Sequence, residues 1–145
     1  MKQPEMKAIL QDHHLWLQSD GKQGKRAYLV GASLRGADLR DADLRYTDLR
    51  DADLRYTDLQ YANLEGANLQ YANLRGADLQ KAYLWDASLQ HANLQGVKFT
   101  TNFKKVGWFE CATFSEDQIP WVVLHPRYPK WAHTLTWVKA KADAA

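Results

Sequence analysis

From residue 27 to residue 96 the apolar positions of this chain recur every five residues, without insertion, through fourteen consecutive pentads. The centre of each pentad is leucine, from Leu29 to Leu94. Two residues earlier stands alanine, replaced only by Thr47 and Thr57; between the two stands Asp, Asn or Ser, replaced only by Tyr28 and Tyr83. Neither regular element has this period. Five residues advance an α-helix by roughly 500°, about 140° net, so the leucines would spiral around its surface. In a flat strand an odd step puts successive leucines on opposite faces. All of them can share one interior only if the backbone turns a corner in every pentad. Coils closed by such corners stack, with leucine at the centre, alanine beside the corner and the other three positions outward.

The corners themselves are expected to differ. A type II turn needs positive φ at one position and favours Gly or Asn there. The last pentad position is glycine at Gly31, Gly36, Gly66, Gly76 and Gly96 but tyrosine at Tyr46, Tyr56, Tyr61 and Tyr71. The reading is that turn geometry varies, with negative φ at the four tyrosines.

The flanks follow other rules. Pro4 suits a first helical turn, and Met6, Ile9, Leu10, His13, Trp16 and Leu17 share one face at helical spacing. Gly21 is placed to stop that helix. After residue 96 the central position passes to Phe99, Phe109 and Phe114, with Lys104 between them, where Phe103 is expected to turn inward instead. Beyond Ser115 the pattern is lost. An apolar run, Trp121 to Leu124, precedes Pro129, which is expected to open a helix with Tyr128, Trp131, Leu135 and Val138 on one face.

The A-(D/N)-L-x-x pattern resembles the pentapeptide-repeat family, strictly over 27–96 and loosely over 97–116. The resemblance implies an all-β solenoid: a right-handed quadrilateral β-helix, four pentads per coil and about four and a half coils, roughly 22 Å tall at ~4.8 Å per rung. A solenoid has raw ends that must be covered. The chain therefore reads as a single domain, 1–145, with an N-terminal helical cap (1–24), the repeat (25–119) and a helical, aromatic C-terminal cap (120–145).

Charge and composition narrow the function. The net charge of +2 is divided: residues 27–96 carry ten acids against seven bases, while both flanks carry a surplus of bases. One cysteine, Cys111, permits no internal disulfide, and no apolar run approaches a membrane span. The expectation is a cytoplasmic protein without direct nucleic-acid or membrane binding. No histidine pairs with Cys, Asp or Glu at a metal spacing; His13, on the apolar helical stripe, reads as a packed core residue. "GKQGKR" at 21–26 lacks the spacing and hydroxyl of a phosphate loop. The reading is no enzyme, no cofactor and no metal.

Residues twenty apart fall on one face of such a coil. Arg35, Arg55 and Arg75 then form one ladder and Asp38, Asp58 and Asp78 another, together the candidate interaction surface. The four tyrosines fall on four different faces, which argues against a base-stacking platform. Trp121, Trp131, Leu135, Trp137 and Val138 form the candidate cap or homodimer surface. The leading function is a non-enzymatic protein-interaction scaffold with an unidentified protein partner. The alternative, implied by the resemblance, is a DNA mimic that binds a type II topoisomerase, DNA gyrase. Duplex DNA carries one charge per ~1.7 Å, so a rod of that height would need on the order of thirteen negatives, whereas the repeat carries a net of −3.

Overall fold

A computed structural model of the protein describes residues 1–99, 113–115 and 136–138. One helix, α1 (Gln3–Gln18), precedes four short strands: β1 (Asp78–Leu79), β2 (Lys98–Phe99), β3 (Thr113–Ser115) and β4 (Thr136–Val138). Most of the repeat pairs through single parallel bridges between residues twenty apart, such as Tyr28 with Asp48, Ser33 with Asp53, Asp38 with Asp58 and Asp43 with Asn63. These four columns are the sides of a coil of four pentads, and each rung repeats the one below: Asp48 pairs on to Asn68, and Asn68 to Ser88. The chain is a β-solenoid.

The leucines share one interior. All fourteen from Leu29 to Leu94 are buried, and from Ala52 upward the alanines are buried beside them. At the two positions where threonine replaces alanine, the hydroxyl donates to the carbonyl of the leucine three residues back, Leu44 for Thr47 and Leu54 for Thr57, each at 2.7 Å. The buried polar atom is thereby satisfied.

Every described corner uses the same turn. The N–H after each corner bonds to the leucine carbonyl three residues back, from Ala32 to Leu29 through Val97 to Leu94. The last pentad position has positive φ throughout, whatever its side chain: 64° at Gly31, but also 59° at Tyr46, 58° at Tyr56, 59° at Tyr61 and 61° at Tyr71. The expectation of negative φ at the tyrosines is wrong. The ladder is the reason. Rungs can stack in register only if each coil is congruent with its neighbours, so the hydrogen bonds above and below impose one backbone shape. A left-handed conformation costs a residue with a Cβ roughly 1–2 kcal/mol, less than the rungs a misfit corner would disrupt.

Helix α1 lies against the first coil. Met6 and His13 are buried, with Ile9 and Leu10 half-buried against the core, as the helical stripe required. The Lys2 N–H is capped by the Glu5 carboxylate at 3.0 Å, and Pro4 stands in the first turn. The Gly21 N–H closes the far end on the Trp16 carbonyl at 2.9 Å, at a φ of 81° that glycine adopts freely.

At the other end, β4 continues a column. Asn93 pairs with Thr113, and Thr113, Phe114 and Ser115 pair in parallel with Thr136, Trp137 and Val138. The helix expected to carry Val138 is therefore not present at 136–138; a β-branched and aromatic triplet extends the ladder instead. Trp121, Trp131 and Leu135, the expected rearrangement at Phe103 and Lys104, and the rest of the C-terminal segment lie outside the described residues.

Candidate interaction surface

The D-L-R frame that recurs through the first coils has a local explanation. In each such pentad the arginine folds back on the aspartate two residues before it. Arg45 donates Nε to Asp43 Oδ1 at 2.8 Å and its terminal nitrogen to Oδ2 at 2.7 Å. Arg40 with Asp38, Arg50 with Asp48 and Arg55 with Asp53 repeat this two-pronged geometry. The same aspartate also accepts the backbone N–H of its arginine, as Asp53 Oδ1 does from Arg55 at 3.2 Å. Where asparagine replaces aspartate this bond survives: Asn63, Asn68, Asn73 and Asn93 each accept the N–H two residues on. The residue before leucine is thus an Asx turn fixed by its own side chain.

These pairs set the electrostatics. The Arg40 guanidinium, with its own N–H, holds the exposed Asp38 carboxyl down to about 2. Asp43, Asp48 and Asp53 are lowered for the same reason, against a smaller opposing effect of burial.

The structure stacks the expected ladders, but their members are not equivalent. Along one column Arg55 is held by Asp53 at 2.6 Å, the Arg35 guanidinium sits 5.6 Å from the centre of the Tyr56 ring, and the Arg75 N–H bonds to Asn73. Along the other, Asp38 and Asp58 are bridged by Arg40, at 2.6 and 3.6 Å. Asp78 accepts from Gln60 at 3.0 Å and faces Lys98 at 3.8 Å. The acidic column is threaded with cations, which lets like charges stack about 4.8 Å apart.

A second set of contacts was not visible in the tyrosine spacing. Each corner tyrosine reaches the corner one coil on. Tyr71 stacks on His91 with centroids 4.6 Å apart and planes 2° from parallel. Lys81 Nζ lies 2.8 Å from the Tyr61 hydroxyl and 4.8 Å from its ring centre. Tyr46 covers Gly66, where an added Cβ would fall 2.5 Å from the ring, and Tyr56 covers Gly76 in the same way at 2.7 Å. The signal lay at twenty-residue offsets between tyrosine and glycine, histidine or lysine, not between tyrosines. Among the described residues no group of three His, Cys, Asp or Glu side chains could hold a metal ion, and no helix is long and apolar enough to cross a membrane.

The profile of the pentapeptide repeats matches eight copies, at residues 32–70, 47–86 and 67–101. The chain belongs to the pentapeptide-repeat family. That assignment rests on the repeats, whose register is the one the coils display. Solved pentapeptide-repeat proteins that resemble it include one from the Arabidopsis thaliana thylakoid lumen, 28% identical over 65% of this chain and 76% of that one, at a TM-score of 0.33. Rfr23 from the cyanobacterium Cyanothece is 35% identical over 57% of this chain and 66% of its own, also at 0.33. A pentapeptide-repeat protein from Nostoc is 26% identical over 90% of this chain and 96% of its own, at 0.35. No curated protein matches the chain. Family membership explains the scaffold and leaves its use to the surface, because the repeat encodes geometry rather than chemistry.

Proposed function

We propose that this pentapeptide-repeat protein is a non-enzymatic interaction scaffold. In this reading it is a right-handed quadrilateral β-helix of about four and a half coils, capped at both ends. It works in the cytoplasm and presents its sides to a protein partner, without cofactor or direct nucleic-acid contact. One observation carries the reading: the polar side chains of the first coils are engaged with their own pentads, through the Asx turns and the four Asp–Arg pairs. A carboxylate bound twice by guanidinium is a poor general base, and a surface so ordered loses little side-chain entropy when a partner docks. The Arg35, Arg55, Arg75 column and the Asp38, Asp58, Asp78 column are the surfaces proposed to meet that partner.

The test is affinity capture from native cell extract at low and high salt, with the wild-type protein and two surface variants. One carries Arg35→Glu, Arg55→Glu and Arg75→Glu; the other carries Asp38→Lys and Asp58→Lys. A partner retained by the wild type and lost by one folded variant supports the reading. A partner retained equally by both variants contradicts this choice of surfaces.

The DNA-mimic reading has one feature in its favour, the stacked Asp38, Asp58 and Asp78. Against it, Arg40 and Lys98 interrupt that column. We expect no inhibition of gyrase supercoiling; potent, salt-sensitive inhibition would reverse the order of the two readings. Homodimerisation through Trp121, Trp131, Leu135, Trp137 and Val138 is proposed as a separate property, and a monomer at high micromolar concentration in light scattering would remove it.

A further inference from the structure

One pentad breaks the rule that outward positions are polar. Between Ala82 and Asp86 the residues on either side of the buried Leu84 are Tyr83 and Trp85, exposed to 59% and 57%. No other pentad of residues 27–96 carries aromatic side chains at both positions. Tyr83 also replaces the Asp or Asn that elsewhere fixes its own turn, so an Asx turn is given up there. The ladder is still built by backbone groups as in the other coils. The Tyr83 N–H donates to the Ala62 carbonyl, the Leu64 N–H to the Tyr83 carbonyl, and the Ala87 N–H closes the corner on Leu84. The two rings are therefore not what shapes this rung.

They stand on the side of the solenoid whose lower rungs hold Asp43 with Arg45 and Asn63 with Glu65. Tyr61 and Tyr46, at the corners bounding that side, are exposed as well. Among the described residues this one side gathers Tyr46, Tyr61, Tyr83 and Trp85, whereas Tyr28, Tyr56 and Tyr71 are scattered elsewhere. The corners of the aromatic rung carry opposite charges: Lys81 where the chain enters this side and Asp86 where it leaves, both exposed. Lys81 is steadied by the rung below, its Nζ 2.8 Å from the Tyr61 hydroxyl. Among the described residues no cation pairs with Asp86.

Such a side is its own complement. Let two copies lie side by side, related by a two-fold axis parallel to the solenoid axis. They meet rung against rung with strand directions opposed, so the entry corner of one faces the exit corner of the other. Lys81 of each copy then meets Asp86 of the other, and Tyr83 meets Trp85. The lower rungs follow the same rule: Asn63 faces Glu65, an amide donor opposite a carboxylate, and Asp43 faces Arg45. No rung opposes like charges. Other sides also alternate Asp with Arg or Gln, but only here does an aromatic pair lie between the charges, giving apolar surface to bury. This match of the side with itself, in charge and in apolar surface, makes a second copy the occupant.

We propose that the side centred on Tyr83 and Trp85 is a two-fold contact between two copies of the chain lying side by side. It uses neither the Arg35 nor the Asp38 column and none of the C-terminal aromatic residues, so it stands apart from the scaffold reading and leaves those columns free. Three rungs make a small contact, and the dimer is expected to be of micromolar strength.

The test is sedimentation of the full-length protein from low to high micromolar concentration, with charge reversals at the two corners. The wild type should show a monomer–dimer equilibrium. The variant with Tyr83→Ala and Trp85→Ala should dimerise roughly tenfold more weakly or not at all. Lys81→Asp alone and Asp86→Lys alone each oppose like charges at both ends of the contact, and each should lose roughly tenfold or more. Mixed one to one, these two single variants should associate with each other, because every reversed corner then meets its opposite. Both side-chain types already occupy this corner position at positive φ, 61° at Lys81 and 54° at Asp86, so unchanged thermal midpoints are expected for both. A monomer over the whole range overturns the proposal. So does a dimer that none of the variants weakens, which would place the contact in the C-terminal segment instead. Failure of the mixture to associate overturns the two-fold pairing of Lys81 with Asp86.

Discussion

A central coil and the first coil have the same sequence pattern and different surroundings. Around Leu64 and Ala62 every backbone group finds its partner, in the rung above (Leu64 N–H to the Tyr83 carbonyl, the Ala62 carbonyl from the Tyr83 N–H) or in its own corner turns, and neither residue is exposed. Around Leu39 the leucine is still buried, but Ala37 and Ala42 are half-open, and the lower edge of the coil depends on the N-terminal ammonium of Met1 and the His13 side chain of α1. The interior of a solenoid generates its own hydrogen-bond partners by repetition, whereas its end must borrow them. His13 shows how this is done. Its Nδ1 accepts the Ala27 N–H at 3.1 Å, so its Nε2 carries the proton that goes to the Arg45 carbonyl. A single neutral imidazole thus satisfies one donor and one acceptor of a coil that has no coil beneath it.

The largest effect should come from the centre. Leu64→Ala leaves a cavity that closely packed neighbours on both sides cannot close, and should cost ~2–5 kcal/mol in denaturant unfolding. Leu39→Ala, at a rung free to relax, should fall at the lower end of that range. Equal losses would erase the distinction between centre and end. His13→Ala should come next. It strands a buried donor and a carbonyl, each worth ~1–3 kcal/mol, before any partial recovery through water.

The pH dependence of the same contact sharpens the comparison. Burial lowers the His13 pKa below its ordinary value, against opposing effects of the Arg45 carbonyl and the Asp43 carboxylate and a reinforcing one from Arg26 and Arg45. A group whose folded pKa is depressed binds protons more readily when unfolded. The contribution of His13 is therefore complete above its unfolded pKa, near ~6.5, and is lost as pH falls through the lowered folded value. Midpoints measured from pH 8 to 5 should fall for the wild type and fall less for a His13→Gln variant.

Corner substitutions should be smaller still. Gly66→Ala places a Cβ against the Tyr46 ring at a φ of 62°, while Gly36→Ala, at 65°, meets open space. Both incur the left-handed penalty of roughly 1–2 kcal/mol, and only the first must also displace a ring, so Gly66→Ala should lose more. The smallest change should come from Asp48→Asn, which keeps the Asx turn and gives up the Arg50 pair; its midpoint at neutral pH should barely move. Acid should separate it from the wild type. Asp38, Asp43, Asp48 and Asp53 are all depressed by their arginines. Their contribution is present above the ordinary carboxylate pKa near ~3.9 and fades as pH falls through their lowered folded values; Asp48→Asn should soften that loss.

The leucine and alanine columns, the α1 stripe and the twenty-residue register were legible in the sequence, because period and burial are tied one to one. The corner φ values were not. Local preference at Tyr46 or Tyr71 points away from the left-handed region, and only the stacked rungs on either side override it. The charged columns were legible as positions but not as pairs: the aspartates bond to arginines two residues on within the pentad, and the relevant frame, D-L-R, was in view without its Asx-turn meaning. The strand at Thr136–Val138 was misread as helix because its pairing partner, Thr113–Ser115, is distant in sequence and lies outside any local window.

Residue-resolved amide hydrogen exchange at neutral pH tests the account most directly. Asp58 and Asn63, on central rungs, should exchange only through global unfolding, and Ala27 should be protected by His13 although it begins the first coil. Asp38 and Asp43, the same pentad position one coil lower, should exchange rapidly. Protection of Asp38 and Asp43 equal to that of Asp58 and Asn63 would show that the lower edge is already paired, and would contradict the borrowed closure of the first coil.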